Sequence, residues 1–325
     1  MLQRFVVKSA ICALILLLVT SVAEARSVQV SIPAHSVSHI AFYVAQENGY
    51  YRDEGLEVQL VLMAAPVAIR ALIGGDVDVS TVGGSGIPPI IRGASLDFLF
   101  TSFIRPIHWF YSKTTISDVS ELKGKKVAID GLGGVIDSLL REVLKKHNLE
   151  AGRDVTVLAA GVQSTRFAAL SGGSIDATIL TFPWNFLAAE KGFRELVNFT
   201  KQDIVQFTGC IVMRQALLQS DPAVAEKFTR ATMKGLLYAL ANRTGSIAIL
   251  ARSLKVKPDL AAKIYDASRP AMALDGTVGE ESQKRVIQDI VRLMGQKEFP
   301  PPDRVFNFSL ARKVRAQLDA VGWKP

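Results

Sequence analysis

Leu72-Ile73-Gly74-Gly75-Asp76-Val77-Asp78-Val79-Ser80 recurs 98 residues downstream as Leu170-Ser171-Gly172-Gly173-Ser174-Ile175-Asp176-Ala177-Thr178. The same offset pairs Ala71 with Ala169, and Val58-Gln59-Leu60-Val61 with Thr156-Val157-Leu158-Ala159. It also pairs Ser36-Val37-Ser38-His39 with Gly134-Val135-Ile136-Asp137. Two blocks, 28–80 and 126–178, therefore read as copies of one structural unit. Each runs strand, helix, strand, helix, strand. The first places these at 28–32, 39–48, 56–63, 66–73 and 77–81, the second at 126–130, 136–146, 156–159, 165–170 and 175–180. That order predicts parallel pairing with right-handed crossovers. Two such α/β units facing each other enclose a cleft.

Outside the repeat the chain divides into three parts. Residues 98–126 carry it from one unit to the next, and 209–214 read as a strand that carries it back. From Ser220-Asp221-Pro222, a capping residue followed by proline, the remainder is helical. Helices are expected to about 241, then at 245–254, 258–268, 278–294 and 309–321, with Pro300-Pro301-Pro302 as an extended connector before the last.

The N-terminus reads differently. Arg4 and Lys8 precede an apolar run from Ala10 to Val19, and Ala23-Glu24-Ala25 offers a small-x-small cleavage site. Residues 1–25 are expected to be a secretory signal peptide, with an apolar stretch short for a membrane span. No cysteine sits at the junction to anchor a lipid. With Cys12 in the leader, Cys210 is alone in the remainder, which excludes an internal disulfide and a cysteine-based metal site. At 325 residues, 49% hydrophobic and 21% charged, the chain has the length for two ordered domains. Its formal net charge is +8, or +7 without residues 1–25. On an exported chain this points to a solvated basic face or an anionic ligand, not to nucleic acid.

In open α/β sheets, ligands bind beyond the carboxyl ends of the strands. Five segments fall there: 33–39, 81–86, 105–109, 131–135 and 181–184. Three are glycine- or serine-rich turns that open helices and expose backbone N–H groups to an anion. Ser36, Ser38, Thr81 and Ser85 add hydroxyls, and Gly83, Gly84, Gly133, Gly134 and Val135 supply backbone. Taken singly, each turn is equally a tight strand–helix connection. His39 either donates to a ligand or caps its helix. Phe182 and Trp184 either stack on a flat ligand or pack in the core. Arg105 and Arg166 are the candidates for pairing with a ligand anion. The duplicated Gly-Gly-x-x-Asp reads as structural, with Gly74 and Gly172 in left-handed helix ends. The histidines lack metal-ligand spacing, and no nucleophile elbow, Cys–His pairing or carboxylate pair announces catalysis. No metal and no cofactor are expected.

Ser38-His39-Ile40-Ala41-Phe42-Tyr43-Val44-Ala45, then Glu47-Asn48-Gly49-Tyr50-Tyr51 and Gly55-Leu56-Glu57-Val58, resembles the start of the nitrate/sulfonate/taurine and pyrimidine-precursor periplasmic binding proteins. Segments 71–79, 121–128 and 307–310 resemble later elements of that family. The resemblance implies a type II periplasmic binding protein fold: two α/β lobes joined by two crossover segments, with a helical C-terminal region. It implies lobe 1 at 26–111 plus 213–325 and lobe 2 at 112–212. It further implies a monomeric, periplasmic solute receptor that delivers a small solute to an inner-membrane ABC permease with a cytoplasmic ATPase. The ligand contacts it implies are Ser36, Ser38 and His39, Thr81 to Ser85, Gly133 to Val135, and Phe182 to Trp184. Pyrimidine-type members often carry Asn around the first-loop histidine, where this chain has Ser36 and Ser38. A small organic anion and a flat heterocycle therefore both stand. Enzymes of related fold, of the pyrimidine synthase or menaquinone-pathway lyase type, form a third class, but the synthases carry a cysteine-rich motif that is absent here.

Overall fold

The computed structural model describes residues 25–202 and 204–325. The expected leader, apart from residue 25, lies outside them. The first copy folds as β1 (Arg26–Ile32), α1 (Ile40–Glu47), α2 (Tyr50–Asp53), β2 (Leu56–Leu62), α3 (Ala65–Gly74) and β3 (Val79–Ser80). Then come α4 (Gly83–Ile91), β4 (Leu96–Phe103) and β5 (His108–Ser112). The second copy supplies β6 (Lys126–Ile129), α5 (Val135–Lys146), β7 (Thr156–Ala159), α6 (Gln163–Ser171) and β8 (Ala177–Thr181). It is followed by α7 (Trp184–Glu190), β9 (Arg194–Asn198) and β10 (Thr208–Arg214). The C-terminal helices are α8 (Gln215–Ser220), α9 (Pro222–Ala241), α10 (Arg243–Leu254), α11 (Pro258–Ser268), α12 (Glu280–Leu293) and α13 (Ser309–Ala320).

Two five-stranded sheets result, ordered β2-β1-β3-β10-β4 and β7-β6-β8-β5-β9. In each, the three repeated strands pair in parallel and two further strands add antiparallel. The chain passes between sheets at 104–107 and again at 199–207. The expected boundaries at 111 and 212 thus cut through β5 and β10. β5 pairs with β8 along its whole length and so belongs to the second sheet, while β10 pairs with β3 and β4 in the first. Strand-like residues on both sides of Arg105-Pro106 hid the first crossing.

Each sheet is covered on both faces, as parallel strands demand. Val30, Phe100 and Ile211 pack one face of the first sheet against α1, α9 and α13 through Phe42, Phe228 and Val314. Its other face meets α4 and α12 through Phe98, Ile87 and Ile287. In the second sheet Phe110, Val127 and Ile179 meet α5 through Leu140 and Val143. Asp221 caps α9 by accepting from Val224 N at 3.2 Å, with Pro222 in the first turn.

The duplicated turn works the same way in both sheets. Asp78 N donates to Gln29 O at 2.9 Å, and Asp78 Oδ2 accepts from Gln29 N at 2.9 Å. Asp176 N donates to Lys126 O at 2.8 Å, and its Oδ2 accepts from Lys126 N at 2.8 Å. Each aspartate therefore clamps one residue of its neighbouring strand from both sides. The left-handed position is the second glycine of each pair, Gly75 (φ +94°) and Gly173 (φ +78°), not the first. Gly74 is still inside α3, and Gly172 stays right-handed at φ −84°.

Candidate functional site

A cavity of about 70 Å³ lies between the two sheets. The first lobe lines it with the loop after β1 (Ser36, Ser38, His39) and the turn after β3 (Thr81, Gly83, Gly84, Ser85). The second contributes Asp130 after β6, Val135 at the start of α5, Gln163 and Arg166 on α6, and Thr181 at the end of β8. Both crossings and the strands they lead into also reach it, through Ile107 and His108 and through Gln206, Phe207, Thr208 and Gly209.

Two helix N-termini meet there. α4 begins at Gly83 and α5 at Val135, and neither has a side-chain cap. A methyl group at Gly84 would clash with Val135 Cγ2, and one at Gly134 would lie 3.1 Å from Ser85 Oγ, so the lobes touch here. They touch again at the other rim, where a methyl group on Gly131 would clash with Pro66. First-turn N–H groups from two helices thus converge on one small volume, an arrangement that favours negative charge. Asp137 in the first turn of α5 is neutralised by Arg141 at 2.8 Å and accepts from Gly133 N at 2.8 Å. Beneath α4, Cys210 lies buried against Gly83, its Sγ 3.5 Å from Thr101 Oγ1, and burial pushes its thiol up to about 12.

His39 bridges the two loops of the first lobe. Thr81 Oγ1 donates to Ser31 O at 2.9 Å, so its 3.0 Å contact with His39 Nε2 has the imidazole as donor. Nδ1 is then left to accept from Ser38 Oγ at 3.4 Å. Burial, with His35 nearby, lowers the His39 pKa to about 3. His108 is likewise lowered to about 3, by burial and then by Arg166. Arg166 is 2% exposed. It donates Nε to Gly161 O at 3.1 Å and Nη1 to Ile179 O at 2.7 Å and Thr178 Oγ1 at 3.4 Å. None of these bonds uses Nη2. Burial lowers the Arg166 pKa and raises that of Asp130, while each opposes the shift of the other.

Buried polar groups are normally hydrogen-bonded, so those without partners are informative. Nine buried side-chain polar atoms lack a partner among the described residues, and six line this cavity. They are His108 Nδ1, Asp130 Oδ1, Thr181 Oγ1, both amide atoms of Gln206 and Thr208 Oγ1. The site can therefore donate to, and accept from, a small polar solute.

Ser36, Ser38, His39, Thr81, Gly83, Gly84, Ser85 and Val135 all line the cavity. Gly133 and Gly134 line a neighbouring cavity of about 230 Å³ bounded by α4, α5 and α12. Arg105 is exposed on the first crossing and reaches neither cavity. Phe182 is fully buried against Trp109 and Phe186, with ring centroids at 4.4 and 5.3 Å. Trp184 packs on Phe167 at 5.3 Å. The aromatic residues after β8 are thus core, because α7 turns back onto its own sheet. Arg166, and not Arg105, is the arginine of the cleft. Asp130, Gln163, Gln206 and Thr208 were not foreseen, and His108 fell in the expected segment 105–109 without being singled out. For two of them, and for Arg166, a signal existed: the 98-residue offset sets Asp130, Gln163 and Arg166 against the buried Ile32, Ala65 and Ala68. Among the described residues no cluster of His, Cys, Asp and Glu suits a metal ion, and no helix is long and apolar enough to cross a membrane.

Residues 36–245 match the family described as NMT1/THI5 like. A curated relative, the 4-amino-5-hydroxymethyl-2-methylpyrimidine phosphate synthase of Aspergillus parasiticus, is 28% identical over 225 residues, covering 62% of this chain and 63% of the relative. The chain thus spans under two thirds of that relative's length. Among solved structures, the periplasmic nitrate-binding protein NrtA from Synechocystis PCC 6803 superposes with a TM-score of 0.76 at 14% identity, covering 91% of this chain and 90% of that one. The alkanesulfonate-binding protein SsuA from Xanthomonas axonopodis pv. citri, bound to MOPS, gives 0.68 at 22% identity, covering 90% and 98%. These likenesses show a shared periplasmic binding protein fold.

Proposed function

The chain belongs to the NMT1/THI5-like family, and from that premise we propose that it is the solute-capturing component of an ABC importer. It binds a small organic anion of the sulfonate, taurine or nitrate kind between its lobes. The open form takes the solute on one lobe, and rotation about the crossings at 104–107 and 199–207 then encloses it. The observation that carries this reading is the convergence of unpartnered buried polar atoms, Arg166 and two helix N-termini on one interlobe cavity. The partners are an inner-membrane permease and its cytoplasmic ATPase, the site of action is the periplasm, and the receptor works as a monomer.

The small volume, with Phe207 and the imidazoles of His39 and His108 as the aromatic rings among the described cavity residues, favours a compact anion over a heterocycle. The second reading, a pyrimidine solute, has specific support in the named pyrimidine relative and in the unpartnered acceptor Asp130 Oδ1. An enzyme of the synthase kind would act on the same ligand.

Thermal melting and calorimetry over nitrate, ethanesulfonate, taurine, acetate and 4-aminopyrimidine test the proposal. A hundredfold excess over Kd stabilises by about 2.7 kcal/mol, and the bound form scatters X-rays as a more compact particle. Stabilisation only by the pyrimidine selects the second reading. Turnover of any bound solute establishes an enzyme. Neither stabilisation nor compaction by any of the five rejects solute capture.

A further inference from the structure

Asp130 is out of place in a pocket built for a plain anion. It stands at the end of β6, where the first copy has the buried, apolar Ile32. Its Oδ1 is buried and accepts no hydrogen bond. The cation that faces it, Arg166, directs its bonds to Gly161 O, Thr178 Oγ1 and Ile179 O, and none to Asp130. The two sense each other's charge without pairing. The cavity wall therefore holds one cation and one carboxylate that are not paired with each other.

Nitrate or a simple alkanesulfonate would gain from Arg166 and the ends of α4 and α5, and would be opposed by Asp130 in the ionised form that Arg166 favours against burial. The backbone N–H of Gly131 acts on the Asp130 carboxylate, but its buried Oδ1 has no donor, and a buried acceptor left unsatisfied costs about 1–3 kcal/mol. Both difficulties vanish for a solute with an N–H or O–H donor beside its anionic group. We propose that Asp130 is the specificity-determining acceptor of the cleft. It takes a donor from a small zwitterion or an amino- or hydroxy-substituted anion whose negative group is held by Arg166 and the two helix N-termini. This rests on the anion-binding role proposed above and narrows its ligand class.

Matched probes that differ in one donor test it: taurine against ethanesulfonate, and β-alanine against propionate, titrated by calorimetry into the purified protein and its Asp130→Asn variant. The wild type is expected to prefer the amino member of a pair by at least about tenfold, the scale of one hydrogen bond to a charged group. In Asp130→Asn that ratio falls below about threefold, with the plain anion binding more tightly than to wild type. Asp130→Ala repeats the comparison should the amide variant fold poorly, with near-ultraviolet circular dichroism as the check. Equal binding of both pair members by the wild type overturns the proposal. So does an Asp130→Asn variant that weakens both members equally, since Asp130 would then serve only to place Arg166. If none of the four probes binds while nitrate does, the proposal falls and the anion-binding role stands; if nitrate fails as well, both fall.

Discussion

His39 and His108 remain neutral in the folded chain down to a pKa of about 3, because both are buried. In the unfolded chain each takes up a proton near pH 6.5. The unfolded state therefore binds more protons below that value, and stability falls as pH falls. Between pH 6.5 and 4.5 each histidine is expected to remove at most about 1.4 kcal/mol per pH unit. Above pH 7 the contribution is flat. Urea denaturation at half-unit pH steps reads the slope, and His108→Gln should reduce it by about half. A slope unchanged in that variant shows that His108 is not the group responsible. Residue identity was legible in the loops of the first lobe, where hydroxyls and glycines at strand ends announce themselves. It was not legible on α6, whose Arg166 and Gln163 look like ordinary helix-surface residues. Only the sheet packing turns them inward: Arg166 through the carbonyl of Ile179, and Gln163 through Thr181 N at 2.8 Å.

At the scale of elements, the aspartate clamp and the left-handed glycine beside it hold β3 and β8 to the strands next to them. Asp176→Ala removes the bonds to Lys126 N and to Lys113 Nζ, the latter at 2.8 Å. The expected loss is about 1–2 kcal/mol in urea denaturation. Gly173 has open space where a side chain would stand, so Gly173→Ala reports backbone strain alone, at about 1 kcal/mol. A neutral Gly173→Ala would mean that the turn relaxes out of the left-handed region. The repeat made the three parallel strands of each sheet readable. A helix was expected after the 81–86 turn, but the bounds of α4 were not legible because Gly83-Gly84-Ser85-Gly86 and the internal Pro88-Pro89 have poor helix propensity. It forms through packing: Ile87 and Ile90 are buried, and Gly83 fits against Phe98 and Cys210, where any side chain would clash.

For the whole molecule, the closure proposed above would depend on two places where one lobe has no side chain to obstruct the other. Gly84 admits Val135, and Gly131 admits Pro66. Gly131 is outside the left-handed region and Gly84 lies within α4, so alanine suits the local backbone at both. The double variant Gly84→Ala/Gly131→Ala is expected to keep its melting temperature without ligand and to bind at least about tenfold more weakly. Its ligand-induced decrease in radius of gyration should shrink. Unchanged affinity and compaction would show that the lobes close without those contacts. The two-lobed plan was legible from the repeat and the resemblance, whereas the crossings were misplaced because they carry no turn signal beyond Arg105-Pro106. Cys210 has a separate consequence. With its thiol at about 12 and fully buried, it stays inert to alkylating dyes at neutral pH. Cysteines introduced at exposed Val67 and Leu132, beside the Pro66–Gly131 contact, would take a fluorophore and a quencher without background. A variant cut to residues 26–325 would then serve as an optical sensor of the solute proposed above.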